Sequence, residues 1–248
     1  MKTLLLDIET APNLAYVWGL FKQDINIDRI VASGHVLCWS AKWYGEEKIH
    51  FASIQHRKPA SMLSGIHRLL DKADMVVHYN GKSFDIPTLN KEFVANQMQP
   101  PSPYKQLDLL QIVRAEFRFP SNKLDYVAQA LEVGKKVRHP GFEMWVKCMA
   151  GDGEAWQQME QYNRQDTLLL ERLYDRVQPW IRSHPNHGAF EGAPMCPKCG
   201  SEDFQRRGYA YTTMMRYPRY QCNNCHGWFR GNKADKRGDE ERMTNIGA

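Results

Sequence analysis

No run in the 248 residues stays apolar for the ~18–20 positions that a membrane-spanning helix requires. Internal repeats and low-complexity tracts are also missing, so the chain reads as ordinary globular sequence. Excess charge is scarce. Lys and Arg number 33 against 28 Asp and Glu, a net +5 that leaves any attraction to nucleic acid to local patches. The leucines at the N-terminus are interrupted by Asp7 and Glu9 too early for a signal peptide. A cytoplasmic protein with no membrane partner is expected. Cysteine is sparse, at six residues. Cys38 and Cys148 are isolated in apolar surroundings and read as small core residues. The other four form two tight pairs, which in a reducing cytosol argue for metal rather than disulfides. A hydrophobic fraction of 42% and this length fit one domain of ~150–180 residues with a small appendage.

What is present begins with Leu4-Leu5-Leu6, an apolar run that ends in two carboxylates, Asp7 and Glu9. Alternate positions on a strand share a face, so both acids project from one side. Two unit charges ~4 Å apart at an effective dielectric of ~20 repel by about 4 kcal/mol, a cost that a cation removes. The plain alternative is a strand running out into solvent. Residues 11–33 then read as a long irregular connection, which in a compact domain is functional or carries short structure of its own. The runs 34–44 and 47–54 read as strands about a Gly45-Glu46 turn, giving an antiparallel start to a sheet. Residues 61–73 have helical period, and 74–79 form a short strand returning parallel to the first.

From Asp85 on, the pattern is mostly helical: 86–98, 107–117, 124–131, 141–150 and a long helix over 153–177. Asp85 follows the turn signal Asn80-Gly81 and opens a helix that tolerates Pro87 in its first turn. Helix N-capping is its ordinary role there. On the long helix Tyr162 and Asp166 share a face, and Asp166 stands beside the apolar run Leu168-Leu169-Leu170. An unpaired Asp near the core-facing stripe is unfavourable; the plain alternative is that it meets an Arg or stays at the edge of the stripe.

These segments resemble the DEDD superfamily of proofreading-type 3′–5′ exonucleases, in its tyrosine-bearing branch. Leu6-Asp7-Ile8-Glu9-Thr10 looks like hydrophobic-D-x-E-T, Asn80-x3-Phe84-Asp85 like N-x3-F-D, and Tyr162-x3-Asp166 like Y-x3-D. The stretch from His78 to Leu89 is similar to family B DNA polymerase proofreading domains. The resemblance covers roughly residues 1–180. It implies a ribonuclease-H-like α/β fold, a mixed five-stranded sheet flanked by helices. It further implies two Mg²⁺ or Mn²⁺ ions held by Asp7, Glu9, Asp85 and Asp166, with Asp7 bridging both, and an attacking water oriented by Tyr162. The product implied is a nucleoside 5′-monophosphate. The motif residues Thr10, Asn80 and Phe84 are expected at the substrate. Trp18 and Phe21 either stack on the terminal base or pack in the core. His78 reads as a strand-end residue. His139 lacks the spacing to a following Asp that the histidine branch would need.

Two C-x2-C knuckles, Cys196-Pro197-Lys198-Cys199 and Cys222-Asn223-Asn224-Cys225, lie 22 residues apart and favour one tetrahedral structural Zn²⁺. Redox or iron–sulfur roles are the alternatives. Residues 204–234 hold Arg206, Arg207, Arg216, Arg219, Arg230 and Lys233 with no acidic residue, interleaved with aromatics. That composition suits a nucleic-acid surface. A solvated hairpin or a protein-docking module competes with it. The module also looks like zinc ribbons of transposase-related DNA-binding proteins. The expected organisation is an exonuclease domain over 1–178, a linker over 179–194, a zinc ribbon over 195–234 and a charged tail over 235–248. The function expected is a 3′–5′ exonuclease acting on DNA, with RNA as the rival substrate. The rival class is a nucleic-acid-binding or recruitment protein with a silent nuclease fold.

Overall fold

The computed structural model describes residues 1–235; the charged tail lies, apart from Asp235, outside the described residues. Two compact units are present, one of Lys2–Tyr174 and one of Met1 with the chain from Asp175 on. Among the described residues no helix is long and apolar enough to cross a membrane.

The larger unit is built on β1 (Thr3–Thr10), β4 (Val36–Trp43), β5 (Ile49–Ser53), β6 (Met75–His78) and β7 (Lys105–Asp108), in the order β5-β4-β1-β6-β7. β4 and β5 run antiparallel to their neighbours, whereas β6 and β7 run parallel with β1. The sheet is therefore mixed and five-stranded, with flanking helices: the ribonuclease-H-like fold. Its helices are α1 (Pro59–Leu70), α2 (Asp85–Ala95), α3 (Leu109–Glu116), α4 (Leu124–Ala130), α5 (Phe142–Met149) and α6 (Gly153–Val177).

Strand alternation divides β1 between two faces. Leu4, Leu6 and Ile8 join Trp39 and Ala41 of β4 in a core closed by α1 and α2, which supply Met62, Leu63, Ile66, Ile86, Leu89 and Phe93. The opposite face carries Asp7 and Glu9 and meets α6. There the Ser40 hydroxyl donates to the Asn163 carbonyl at 2.8 Å, and Lys42 pairs with Glu171 at 2.5 Å. These contacts fix the helix that carries Tyr162 and Asp166 against β4, the strand paired with β1. A register break between Glu9 and Thr10 ends regular pairing at the acids.

The structure corrects one sequence expectation and adds local structure to two others. Residues 11–33 are not wholly irregular: β2 (Leu14–Ala15) pairs antiparallel with β3 (Ile30–Ala32). Strands of two and three mostly exposed residues offer no alternation to detect. The helix expected from Leu107 starts at Leu109, because Leu107 and Asp108 end β7 and Asp108 caps α3 by accepting from the Leu110 N–H at 3.0 Å. Lys105 and Gln106 are exposed on this edge strand, which hides its apolar signature. The stretch expected as a linker contains a 3₁₀ turn, Gln178–Trp180, and α7 (His187–Glu191).

The loop after β6 is held by Asp108, whose carboxylate accepts N–H groups of Asn80 at 2.9 Å and Lys82 at 3.2 Å. Asn80 takes a left-handed conformation, φ 67°, that Asn tolerates. Gly81 lies flat on buried His78, and a Cβ there would stand 2.4 Å from His78 Cγ. Gly81→Ala is expected to cost about 1–3 kcal/mol by overpacking, lowering Tm by roughly 3–10 °C in calorimetry. An unchanged Tm would mean that His78 retreats freely.

Candidate metal centre and zinc ribbon

The C-terminal end of β1, the start of α2 and the middle of α6 converge on one site. Oxygen atoms of Asp7, Glu9 and Asp166 all lie within 4.8 Å of one another. Asp166 is buried, whereas Asp7 and Glu9 keep partial access to solvent. Asp85 does not cap its helix: Phe84 occupies the cap position and bonds no backbone group through its side chain. Asp85 Oδ1 instead accepts the Ile8 N–H at 3.1 Å, which ties the start of α2 to the strand between the two acids.

Burial raises the Asp7 carboxyl well above the usual carboxylate range, and Glu9, Asp166 and Asp85 add to this. Glu9 is pushed up to about 8 by burial, with Asp166 adding to the rise and Lys136 opposing it. Asp85 rises to about 7 through burial, against the Ile8 hydrogen bond. Asp166 is raised by burial but held back by Lys136, whose ammonium pairs with Oδ2. Asp166 Oδ1 is buried without a hydrogen-bond partner among the described residues. Three converging carboxylates and an orphaned carboxylate oxygen fit a divalent cation of hard, oxygen-seeking character.

Residues that motif spacing did not single out complete the centre. Lys136, in the connection between α4 and α5, also donates to the Tyr162 hydroxyl at 2.9 Å. Burial alone would lower its pKa, but Asp166 and Tyr162 reverse the sign and keep it charged. The Asn163 amide donates to Asp7 Oδ2 at 2.6 Å. Its place between Tyr162 and Asp166 was the available signal, while nothing in the sequence marks Lys136. His139, set aside on spacing, packs its ring 4.8 Å from that of Tyr162, and Trp145 also stands against Tyr162. Tyr162 is raised by burial, with Asp166 adding to the effect, so the phenol keeps its proton. Trp18 and Phe21 are 92% and 87% exposed, which excludes core packing for them. Phe84 is partly exposed, Asn80 is exposed, and Thr10 ends β1.

In the other unit, β8 (Phe204–Tyr211), β9 (Arg216–Cys222) and β10 (Trp228–Arg230) form an antiparallel sheet in the order β10-β9-β8. Cys196, Cys199, Cys222 and Cys225 present their sulfurs within 4.8 Å of one another. The Cys196–Cys225 and Cys199–Cys222 sulfurs stand 3.7 and 3.6 Å apart. A disulfide needs ~2.05 Å. A tetrahedron with metal–sulfur bonds of ~2.3 Å has edges near 3.8 Å. The cluster is thus consistent with a zinc ribbon. Arg206 and Arg216 stack on Tyr209, Arg219 on Trp228 and Arg230 on Tyr217. Arg207 lies exposed in the register break of β8.

The sequence matches the family model described as RNase_H superfamily over residues 4–178. The chain belongs to the RNase_H superfamily. No curated protein matches the sequence. Among solved structures, this superfamily member is similar to the family B DNA polymerase from the hyperthermophilic archaeon Pyrobaculum calidifontis. The identity is 19% and the TM-score 0.55, over 72% of this chain and 25% of the polymerase chain. At that identity the likeness speaks for the fold, and the alignment spans a quarter of the polymerase.

Glu9 and Asp85 carry folded-state pKa values near 8 and 7, above their unfolded values. Between about pH 4.5 and 8 these two carboxyls therefore bind more protons in the folded chain than in the unfolded one, and their contribution to stability falls as pH rises. Buried His78 and His184, whose pKa values are lowered, act in the opposite sense below about pH 6.5. Without added divalent metal, Tm is expected to be lower at pH 8 than at pH 7. Mn²⁺ should raise Tm more at pH 8, where the carboxylates release their protons to it. A Tm indifferent to pH and Mn²⁺ would contradict a metal centre. For the thiol cluster, mercurial titration should release one Zn²⁺ per chain. Hydrogen-exchange protection in β8–β10 should fall while that of β1 and β4 persists.

Proposed function

We propose that this chain is a metal-dependent 3′–5′ exonuclease of the tyrosine-bearing DEDD branch, releasing nucleoside 5′-monophosphates from DNA. The observation that carries the reading is the convergence of Asp7, Glu9 and Asp166, with the Tyr162 hydroxyl held beside Asp166 through Lys136. In this reading residues 1–178 form the exonuclease domain, 179–194 a linker and 195–234 a zinc ribbon that aids substrate binding. Asp7, Glu9, Asp85 and Asp166 hold two Mg²⁺ or Mn²⁺ ions, and one Zn²⁺ is structural. Bound divalent ions supply the Lewis acidity and charge neutralisation that phosphodiester hydrolysis needs.

The chain's own groups do the positioning. Asn163 fixes the orientation of Asp7, and the Ile8 N–H fixes Asp85. Tyr162, protonated at working pH, donates a hydrogen bond and does not act as a base. Lys136 bonds both Asp166 and Tyr162, and a cation held at the carboxylate would compete with it. Thr10, Asn80, Phe84 and Trp18 are assigned to the substrate end, and Arg206, Arg207, Arg216, Arg219 and Arg230 to the strand beyond it.

One observation favours a second reading. The Lys136–Asp166 ion pair already neutralises part of the acid cluster, as suits a nucleic-acid-binding protein with a silent nuclease fold. Labelled substrates separate the two. With Mn²⁺ or Mg²⁺, 5′-labelled single-stranded DNA should shorten progressively from its 3′ end. Asp7→Ala or Asp166→Ala should remove activity by more than the ~10–100-fold typical of outer-shell changes, with the fold retained in circular dichroism. Binding without cleavage would favour the silent reading, preferential hydrolysis of RNA the ribonuclease rival, and cutting of circular DNA an endonuclease.

A further inference from the structure

We infer that a groove within the C-terminal unit binds a single nucleic-acid strand, its phosphates on Arg219 and Arg230 and a base against Trp228. The groove has a volume of about 490 Å³, and its lining includes Arg182, Lys198, Arg219, Trp228 and Arg230 but no carboxylate residue. A charged strand would therefore meet cations and an indole, with no acidic side chain to repel it.

Sheet register builds the wall. Arg219 of β9 and Arg230 of β10 are direct cross-strand partners, and Trp228 pairs with Gln221 two positions along. Alternation puts Tyr217, Arg219 and Gln221 on the same face, together with Trp228 and Arg230. Like charges placed directly opposite across two strands are destabilising. Among the described residues neither Arg219 nor Arg230 pairs with a carboxylate to relieve this, whereas Arg216 does, at 2.9 Å from Asp235. An anion bonded to either arginine offsets this charge. A phosphodiester is such an anion.

Both guanidinium groups are already oriented. Arg230 lies 3.9 Å over the Tyr217 ring and Arg219 5.0 Å over the Trp228 ring. Arg219 Nε donates to the Arg207 carbonyl at 2.9 Å, which anchors the side chain through one nitrogen. A stacked, planar fork presents its N–H edges to phosphate with little ordering left to lose. Trp228 is 47% exposed, and a half-open indole offers the π-face on which a base of any identity stacks. His184, in the groove wall, is kept neutral by burial and contributes shape but no charge.

This inference rests on the reading of the chain as a nucleic-acid enzyme, and its test separates the two. Binding is measured by fluorescence anisotropy on the full chain carrying Asp7→Asn, with labelled oligothymidylate of about a dozen nucleotides and a salt series. Trp228→Ala is expected to weaken binding roughly 5- to 150-fold with little change in salt slope. Arg219→Gln with Arg230→Gln should lower the slope by about 1.4, at about 0.7 per phosphate contact on a single strand. Trp228→Phe should recover most of the affinity, and zinc content should stay at wild type, which guards against misfolding. Oligouridylate is expected to follow the same pattern, since phosphate and base face are all that the groove reads. Unchanged affinity and slope in these variants would overturn the inference, whether or not the parent chain cleaves DNA. Polyglutamate competing as tightly as oligothymidylate would overturn it too, in favour of an acidic protein partner. A parent chain that binds normally through the groove yet never cuts would overturn the exonuclease reading alone.

Discussion

Mutual repulsion among Asp7, Glu9, Asp85 and Asp166 is the constraint around which the larger unit is arranged. Burial first, and repulsion from the neighbouring acids second, favour the protonated forms of Asp7 and Glu9, while burial raises Asp85. Left to itself the cluster would spread apart. The sheet order prevents this, because β1 is central and is buried on one face by Leu4, Leu6 and Ile8. The length of α6 serves the same end. Its 25 residues carry Trp156 and Met159 into one apolar cluster and Glu171 to Lys42, so Asp166 between them cannot withdraw.

The zinc ribbon carries the same kind of arrangement in two forms. Four thiols converge at a spacing that matches a tetrahedral metal, so a cation resolves their crowding. On the sheet, Arg219 and Arg230 are direct cross-strand partners that pair with no carboxylate among the described residues, and the proposed phosphate would offset their charge. Such arrangements are small reservoirs of unfavourable energy that ligand binding releases. Each arrangement favours a ligand of one sign: a cation at the acids and thiols, an anion at the arginines.

The legible parts of the chain were those where one residue's surroundings are local. Alternation along β1 announced a core face and an acid face, and helical period marked α6 from end to end. The C-x2-C pairs announced their cluster because knuckle spacing itself sets the sulfur geometry. Elements whose identity depends on distant partners were not legible. β7 is a strand only because β6 lies beside it, and Asp108 becomes a hub only once the Asn80 loop folds over it. Lys136 is the extreme case. It lies in a connection without regular structure, yet its backbone N–H is fixed by Asp125 at 2.8 Å and its ammonium reaches Asp166.

That lysine defines what the centre still lacks. One ammonium offsets at most one of the negative charges that four ionised acids would bring. It lowers the pKa values of Asp7 and Glu9 without restoring either to the ordinary range. An Nζ atom offers only hydrogen-bond donors, and it can satisfy Asp166 Oδ2 while leaving Oδ1 unpartnered. A cation of higher charge, able to take oxygens from Asp7, Glu9 and Asp166 together, meets a demand that Lys136 leaves open. A divalent ion bound there would compete with Lys136 for Asp166 and would weaken the bond that joins Lys136 to Tyr162.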